Sequence, residues 1–176
     1  KIYKYGSPEE VITDENIEKV YDLEPGSFNT NIGAIELSKM GDRKKPQAFV
    51  IGGQGKATKI YRALNRANIP FASGVIFEND IDYNPCKSLA EVIVINESFV
   101  DIEEENINIC KKLIDSVDIV IDSGCCLGGI NKGNKELLEY ASKTSKKLYS
   151  LRKKEIKNFN HVSSVEEVIK SIKKKA

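Results

Sequence analysis

The chain is short of the side chains from which most catalytic and metal centres are built. It has a single histidine, His161, among 176 residues. That residue lies in a polar stretch with no nucleophile beside it, so it reads as a surface residue and supplies no Ser-His pair, histidine base or metal triad. The four cysteines, Cys86, Cys110, Cys125 and Cys126, include no Cys-x-x-Cys and no His/Cys spacing of the kind that holds zinc. Adjacent Cys125 and Cys126 read as two small buried residues of a glycine-rich turn in preference to a redox pair.

Charge of one sign and long apolar runs are missing too. The 27 basic side chains face 26 acidic ones, for a net charge of +1, which argues against a nucleic-acid partner bound by bulk charge. Apolar runs such as Ala48-Phe49-Val50-Ile51 and Ile119-Val120-Ile121 fall far short of the ~20 residues of a membrane helix. No basic stretch followed by an apolar run opens the chain, so the expected location is cytoplasmic. No 20–50-residue period repeats, which excludes a solenoid.

What is present divides at Lys44-Lys45-Pro46. Residues 1–45 read as short helical pieces and a linker; residues 46–176 read as a Rossmann-like domain. Lys1-Ile2-Tyr3-Lys4-Tyr5 alternates like an edge strand. Ser7, Pro8 and Glu10 form a helix start with a capping box, and Thr13 opens a second helix over 14–23 with Ile17, Val20 and Tyr21 on one face. The segment from Glu24 to Pro46 reads as a connection with one short strand at 34–37.

The order Tyr5-Gly6-Ser7-Pro8-Glu9-Glu10-Val11-Ile12-Thr13-Asp14-Glu15-Asn16-Ile17, followed by Val20-Tyr21, resembles the closing segment of ATP-binding subunits of ABC importers for iron-siderophore, heme and cobalamin. In that family a last strand of the ATPase core runs into a Gly-x-Pro-Glu-Glu-Val turn and a short helix ending in Val-Tyr. The resemblance implies that residues 1–45 are the tail of an ATPase core plus a linker, and that the parent is an ATP-hydrolysing transporter subunit. Its partners would be that ATPase core and the membrane permease, at the inner face of the cell membrane. The Walker A loop, Leu-Ser-Gly-Gly-Gln signature, Walker B carboxylates and switch histidine are expected upstream of Lys1, since the 176 residues contain none of them.

After Pro46 apolar runs alternate with amphipathic helices. Strands are expected at 46–53, 71–77, 91–95, 118–122 and 147–151, and helices at 56–68, 85–90, 103–117 and 131–144. A last helix follows Ser163, with Glu166 closing its capping box. Continuous apolar strands are buried on both faces. The fold class is therefore α/β: a three-layer Rossmann-like sandwich with a mainly parallel sheet of about five strands, plus a short N-terminal strand-helix appendage.

In such sheets ligands bind beyond the carboxyl ends of the strands, where the strand order reverses. The first strand ends Gly52-Gly53-Gln54-Gly55-Lys56-Ala57-Thr58. Gly53 and Gly55 match part of the dinucleotide fingerprint, Thr58 replaces its third glycine, and Lys56 adds a charge for a phosphate at the helix start. Glu78 or Asp80, at the end of the second strand, suits ribose hydroxyls. Asp82 reads as a helix cap or Asx turn, although Glu78, Asp80 and Asp82 would also suit a hard cation. The fourth strand ends in Asp122-Ser123-Gly124-Cys125-Cys126-Leu127-Gly128-Gly129-Ile130-Asn131-Lys132-Gly133-Asn134, longer than the usual strand-to-helix link. A strand order of 3-2-1-4-5 would bring this loop beside the first. The ligand-binding candidates are thus Gly53, Gly55, Lys56, Thr58, Glu78, Asp80, Asp122, Ser123, Gly124, Gly128, Asn131 and Asn134, with Asn131 or Asn134 capping the helix and the other reaching the ligand. No catalytic or metal residue is assigned; the cofactor is unspecified, a nucleotide being compatible, and a homodimer is compatible as well.

Three functional readings stand open: a regulatory domain sensing a small, anionic ligand or nucleotide for an ABC importer; a nucleotide-dependent oxidoreductase or transferase holding its cofactor through Gly53, Gly55 and Glu78; or a purely structural dimerisation module with an empty crevice. The absent hydrolysis motifs make a first prediction. The purified chain is expected to release no phosphate from millimolar ATP above the buffer rate, and turnover that survives removal of contaminating ATPases would contradict it.

Overall fold

The chain's structure is a computed structural model describing residues 2–22, 28–29, 34–35 and 44–173. It comprises two compact units, Lys1–Lys39 and Met40–Ala176, so the division precedes the expected one at Pro46.

In the first unit, helix α1 (Pro8–Val11) starts on the expected capping box, with the Ser7 N–H donating to Glu10 Oε2 at 3.0 Å. Helix α2 (Asp14–Tyr21) starts on Thr13, whose hydroxyl accepts from the Asn16 N–H at 3.3 Å, and ends on Asp22 in the left-handed conformation, φ 53°. Leu23 of the expected helix lies outside the described residues. Ile17 is half-buried, while Val20 and Tyr21 are exposed. Residues 2–5 are irregular where an edge strand was expected. Alternation supplies a face but no partner, and a strand without a neighbour does not form. Lys1 lies outside the description. Strands β1 (Phe28–Asn29) and β2 (Ala34–Ile35) pair antiparallel; residues 36–37 of the expected strand lie outside the described residues.

The second unit alternates strand and helix: β3 (Ala48–Ile51), α3 (Thr58–Arg66), β4 (Phe71–Phe77), α4 (Tyr83–Leu89), β5 (Val92–Asn96), α5 (Glu104–Ser116), β6 (Ile119–Asp122), a 3₁₀ turn at Gly129–Asn131, α6 (Lys132–Ala141), β7 (Lys147–Ser150), β8 (Asn160–His161) and α7 (Val165–Lys173). The sheet is six-stranded and parallel throughout, in the order β5-β4-β3-β6-β7-β8. It is the expected Rossmann-like α/β sandwich, with the reversal between β3 and β6, and β8 as a sixth strand. β8 is two exposed residues without an apolar run, so no periodicity announced it. Its His161 is exposed, as expected, and also braces the preceding loop: Nε2 accepts from the Ile156 N–H at 2.9 Å, which leaves Nδ1–H to donate to the Arg152 carbonyl at 3.2 Å. Among the described residues no helix is long and apolar enough to cross a membrane.

Strand alternation builds two cores. Ala48, Val50, Ile119 and Ile121 face α3, α4 and α7, whereas Phe49, Ile51 and Val120 face α5 and α6. Helix α3 contributes Ile60, Tyr61 and Leu64 to the first core, and α6 contributes Leu137, Leu138 and Ala141 to the second. Each leucine or isoleucine among these, when fully buried, stabilises by about 1.5–3 kcal/mol. Helix α7 is preceded by Ser164, not Ser163: the Ser164 hydroxyl accepts from the Glu167 N–H, and Glu167 reaches back to Ser163 N–H. The expected pair Ser163 and Glu166 is therefore displaced by one residue, the Glu166 carboxylate turning to its own backbone N–H and to Ser164.

Strand β4 breaks the alternation. Its register against β5 shifts between Ser73 and Ile76, and Val75 faces the second core while Ile76 turns to the first. Such a bulge leaves Val75's backbone groups to be satisfied from elsewhere. Asn134 of α6 does so as a neighbouring strand would: its Oδ1 accepts from the Val75 N–H and its Nδ2 donates to the Val75 carbonyl, both at 3.0 Å. Asn134 is fully buried. Asn134→Ala strands two buried backbone groups and is expected to cost about 2–4 kcal/mol, read as a lower urea midpoint, while Lys135→Ala, on the exposed face of the same helix, should stay within about 0.5 kcal/mol.

Candidate functional site

The site region lies at the carboxyl ends of β3, β4 and β6. Gly52 leaves β3 where a Cβ would stand 2.6 Å from the Tyr61 hydroxyl and 2.7 Å from Ala57 Cβ, so the missing side chain is what lets α3 pack against the strand end. Gly53, Gln54 and Gly55 then run with φ of 135°, 61° and 72°, a left-handed stretch for which glycine is suited. Helix α3 begins at Thr58, two residues after the expected start.

Carboxylates from the β4–α4 loop occupy the N–H groups on which a phosphate was expected. Asp80 Oδ2 accepts from the Gln54 N–H at 2.6 Å, and its Oδ1 accepts from the Asp82 N–H at 2.9 Å, an Asx turn. Asp82 is fully buried and accepts from the Ala57 N–H at 2.9 Å, the Thr58 N–H at 2.8 Å and the Thr58 hydroxyl. It precedes α4 yet caps α3, placing its charge at the positive end of that helix. A phosphate brought to this loop meets two carboxylates and no vacant N–H at Gln54, Ala57 or Thr58.

The loop after β6 is tied to the first by Gln54. Its Oε1 accepts from the Cys126 N–H at 2.7 Å and its Nε2 donates to the Cys126 carbonyl at 3.3 Å. Asn131 Nδ2 donates to the same carbonyl, while Asn131 Oδ1 accepts from Asn134 at 2.7 Å. Neither asparagine side chain caps α6, and both are buried. Asn134, expected either to cap or to reach a ligand, is instead spent on β4.

Between these loops is a crevice of about 310 Å³ lined by Gln54, Phe77, Asn79, Asp80, Ile81, Gly128, Ile130 and Asn131. Three expected residues line it: Asp80, Gly128 and Asn131. Gln54, Phe77, Asn79, Ile81 and Ile130 were not anticipated. Ile81 and Ile130 are exposed apolar side chains, at 72% and 39%. That is the signal a sequence could have offered, because an isoleucine beside a turn has no fold to support. No lysine or arginine lines the crevice.

The other expected residues lie apart from that lining. Gly53 and Gly55 form the backbone turn, exposed Lys56 follows them, and Thr58 holds Asp82. Glu78 is exposed and Asp82 turns inward to α3, so the three carboxylates do not converge as a cation site; among the described residues no group of three His, Cys, Asp or Glu has metal-binding geometry. Ser123 is buried and donates its N–H to Ile51, and Gly124, φ 83°, donates its N–H to Asp122 Oδ1.

Asp122 is fully buried and gripped by Arg152, Nε to Oδ2 at 3.1 Å and Nη2 to Oδ1 at 3.0 Å, with the Ser150 hydroxyl donating to Oδ2 at 2.7 Å. It therefore forms no wall of the crevice, and Arg152 was the functional-looking residue that sequence reasoning missed. The two cysteines differ from the expected buried pair. Cys125 is buried, and burial pushes its thiol up to about 11, keeping it protonated; Cys126 is exposed, since its backbone, not its side chain, meets Gln54.

With this geometry in place, comparison with known proteins is informative in one respect. Residues 71–176, well over half of the chain, match the MJ0874 family. The chain belongs to the MJ0874 family. The match begins at Phe71, the first residue of β4, and so takes in Asp80, Asp82, the long β6 loop and Arg152 but not the Gly52–Thr58 turn. No curated protein and no solved structure matches the chain.

Within the MJ0874-family region the Asp122–Arg152 pair is open to test. Arg152→Ala leaves a buried carboxylate without its partner and is expected to cost about 3–5 kcal/mol. In a double-mutant cycle, Asp122→Asn combined with Arg152→Ala should cost clearly less than the sum of the singles by urea denaturation. Additive costs would contradict the pairing.

Proposed function

We propose that this MJ0874-family domain is an accessory small-ligand-binding module, seating its ligand in the crevice between the Gln54 turn and the Gly128–Asn131 turn, and that it regulates an ABC importer as an appendage of its ATP-binding subunit. The observation that carries the ligand site is the double hydrogen bond between the Gln54 amide and Cys126, which makes one crevice of two glycine-rich loops at the point of strand reversal. The lining argues for the ligand's character. Phe77, Ile81 and Ile130 offer apolar surface to a flat group; Gln54, Asn79 and Asn131 offer amides; Asp80 brings the only charge among the lining residues. The ligand is thus neutral or cationic, in place of the anion expected from the glycine loop, whose N–H groups hold Asp80 and Asp82.

The transporter context rests on the resemblance of residues 5–21 to the end of importer ATPases. The capped starts at Ser7 and Thr13 are compatible with it. In that context the module works on the cytoplasmic side of a permease.

The crevice is tested by following backbone amide resonances while adding nicotinamide, adenine and benzamidine in turn. Saturable shifts are expected at Gln54, Ile81, Gly128 and Ile130, with the uncharged substitution Ile130→Ser weakening the responding compound about tenfold through lost apolar burial. Shifts confined to another surface, or indifferent to Ile130→Ser, would refute the site. The transporter context is tested separately by the reading frame upstream of Lys1, expected to encode a Walker A loop and a Leu-Ser-Gly-Gly-Gln signature; a frame encoding neither refutes that part and leaves the crevice standing.

A further inference from the structure

A second concavity lies between α3 and α7, which pack on the same face of the sheet. Lys59, Arg62 and Arg66 fall at i, i+3 and i+7 of α3 and so share one face of that helix. They line a cleft of about 560 Å³ together with Ser163, Ser164 and Glu166. The cleft continues into a groove of about 310 Å³, where Lys170 and Lys173 of α7 join Arg66 and Glu166. Five cations thus stand around one carboxylate in a chain whose net charge is +1, so the positive field is a local construction and not a consequence of composition.

Helix α3 by its own electrostatics does not favour this arrangement. Lys59 stands in the first turn of α3, where the helix dipole disfavours a cation, and Arg62 and Arg66 form an i,i+4 pair of like charge. Among the described residues Lys59 has no carboxylate within ion-pair distance. The carboxylate that the groove does contain, Glu166, bonds first to its own backbone N–H and to Ser164, with Arg66 and Lys170 near it. The start of α7 is not what attracts the charge: Ser163 donates both its N–H and its hydroxyl to Glu167, so recognition falls to the side-chain cations. A volume of this size suits a small molecule, and guanidinium forks match phosphate oxygens two at a time.

We propose that the α3–α7 cleft binds an oligophosphate group, free or carried by a nucleotide, through Lys59, Arg62 and Arg66. This site is separate from the crevice beside Gln54 and stands or falls independently of it. The anion that the glycine turn is too acidic to hold finds its complement here, along the helix that follows that turn.

The test is calorimetric titration of the whole chain with inorganic triphosphate, with EDTA present and salt held at physiological strength. Saturable one-to-one binding is expected. The double substitution Lys59→Gln/Arg66→Gln should weaken it about tenfold or more, and Lys112→Gln/Lys143→Gln, which removes the same charge from exposed positions elsewhere, should change it less than about twofold. Both substituted sites in the cleft are exposed, so an unchanged thermal midpoint is expected and checked alongside. ATP is titrated in parallel: equal affinities assign free oligophosphate, and markedly tighter ATP assigns a nucleotide-borne one. Absence of triphosphate binding, weakening by both substitution pairs alike, or binding of poly-glutamate without triphosphate would overturn the proposal.

Discussion

A hydrogen-bonded chain of side-chain amides and carboxylates crosses the carboxyl edge of the sheet, and the geometry of three strand-to-helix loops there depends on it. It starts at the β4 bulge, where Asn134 supplies both partners that Val75 lacks, and passes through Asn131 to the Cys126 carbonyl. From Cys126 it crosses to Gln54, then through Asp80 and Asp82 to the first turn of α3. These three loops are thereby held to one another by side-chain hydrogen bonds. Buried polar groups of this kind are costly when half satisfied, and here the Asn134 amide and the Asp82 carboxylate have partners on every side that faces protein. The crevice is what remains between the pinned loops.

The same chain settles where charge goes. Asp82 and Asp80 bring their carboxylates to the N–H groups of the glycine turn, and Arg152 neutralises Asp122 beneath the second loop. The edge that a Rossmann-like fold ordinarily offers to phosphates is therefore already filled with the protein's own anions. Positive charge is collected instead along α3 and α7, which cover one face of the sheet. Two concavities of opposite electrostatic character on one small domain are consistent with a module that reads one molecule and responds to another, which is the behaviour a regulatory appendage needs.

Sequence and structure agree most closely where one physical pattern dominates. Strand β4 was legible to the residue at 71–77 because its apolar run is bounded by Pro70 and an acidic turn. The parallel sheet was legible because runs such as 48–51 and 119–121 are apolar at every position and must be covered on both faces. The cap at Thr13 was legible because capping is local. Asp82 was readable as a cap, yet the helix it caps is α3 and not the one that follows it. That choice depends on a contact between residues 25 apart in sequence, and periodicity carries no information about it.

The site was legible as a region and not as a set of residues. Glycine-rich loops at strand ends and a domain of the α/β class follow from local pattern, and the sequence alone determines them; the strand order with its reversal between the first and fourth strands, only assumed from the sequence, is fixed by the assembled sheet. Which groups then face a ligand was decided by tertiary structure. Asn134 was drawn inward by a bulge whose unpaired backbone no sequence motif records, Asp122 was claimed by Arg152 from the next strand's end, and Gln54 was set across to Cys126 over 72 positions. A polar side chain's partner is chosen by whatever unsatisfied group the fold brings within about 3 Å, and that proximity exists only once the sheet has assembled.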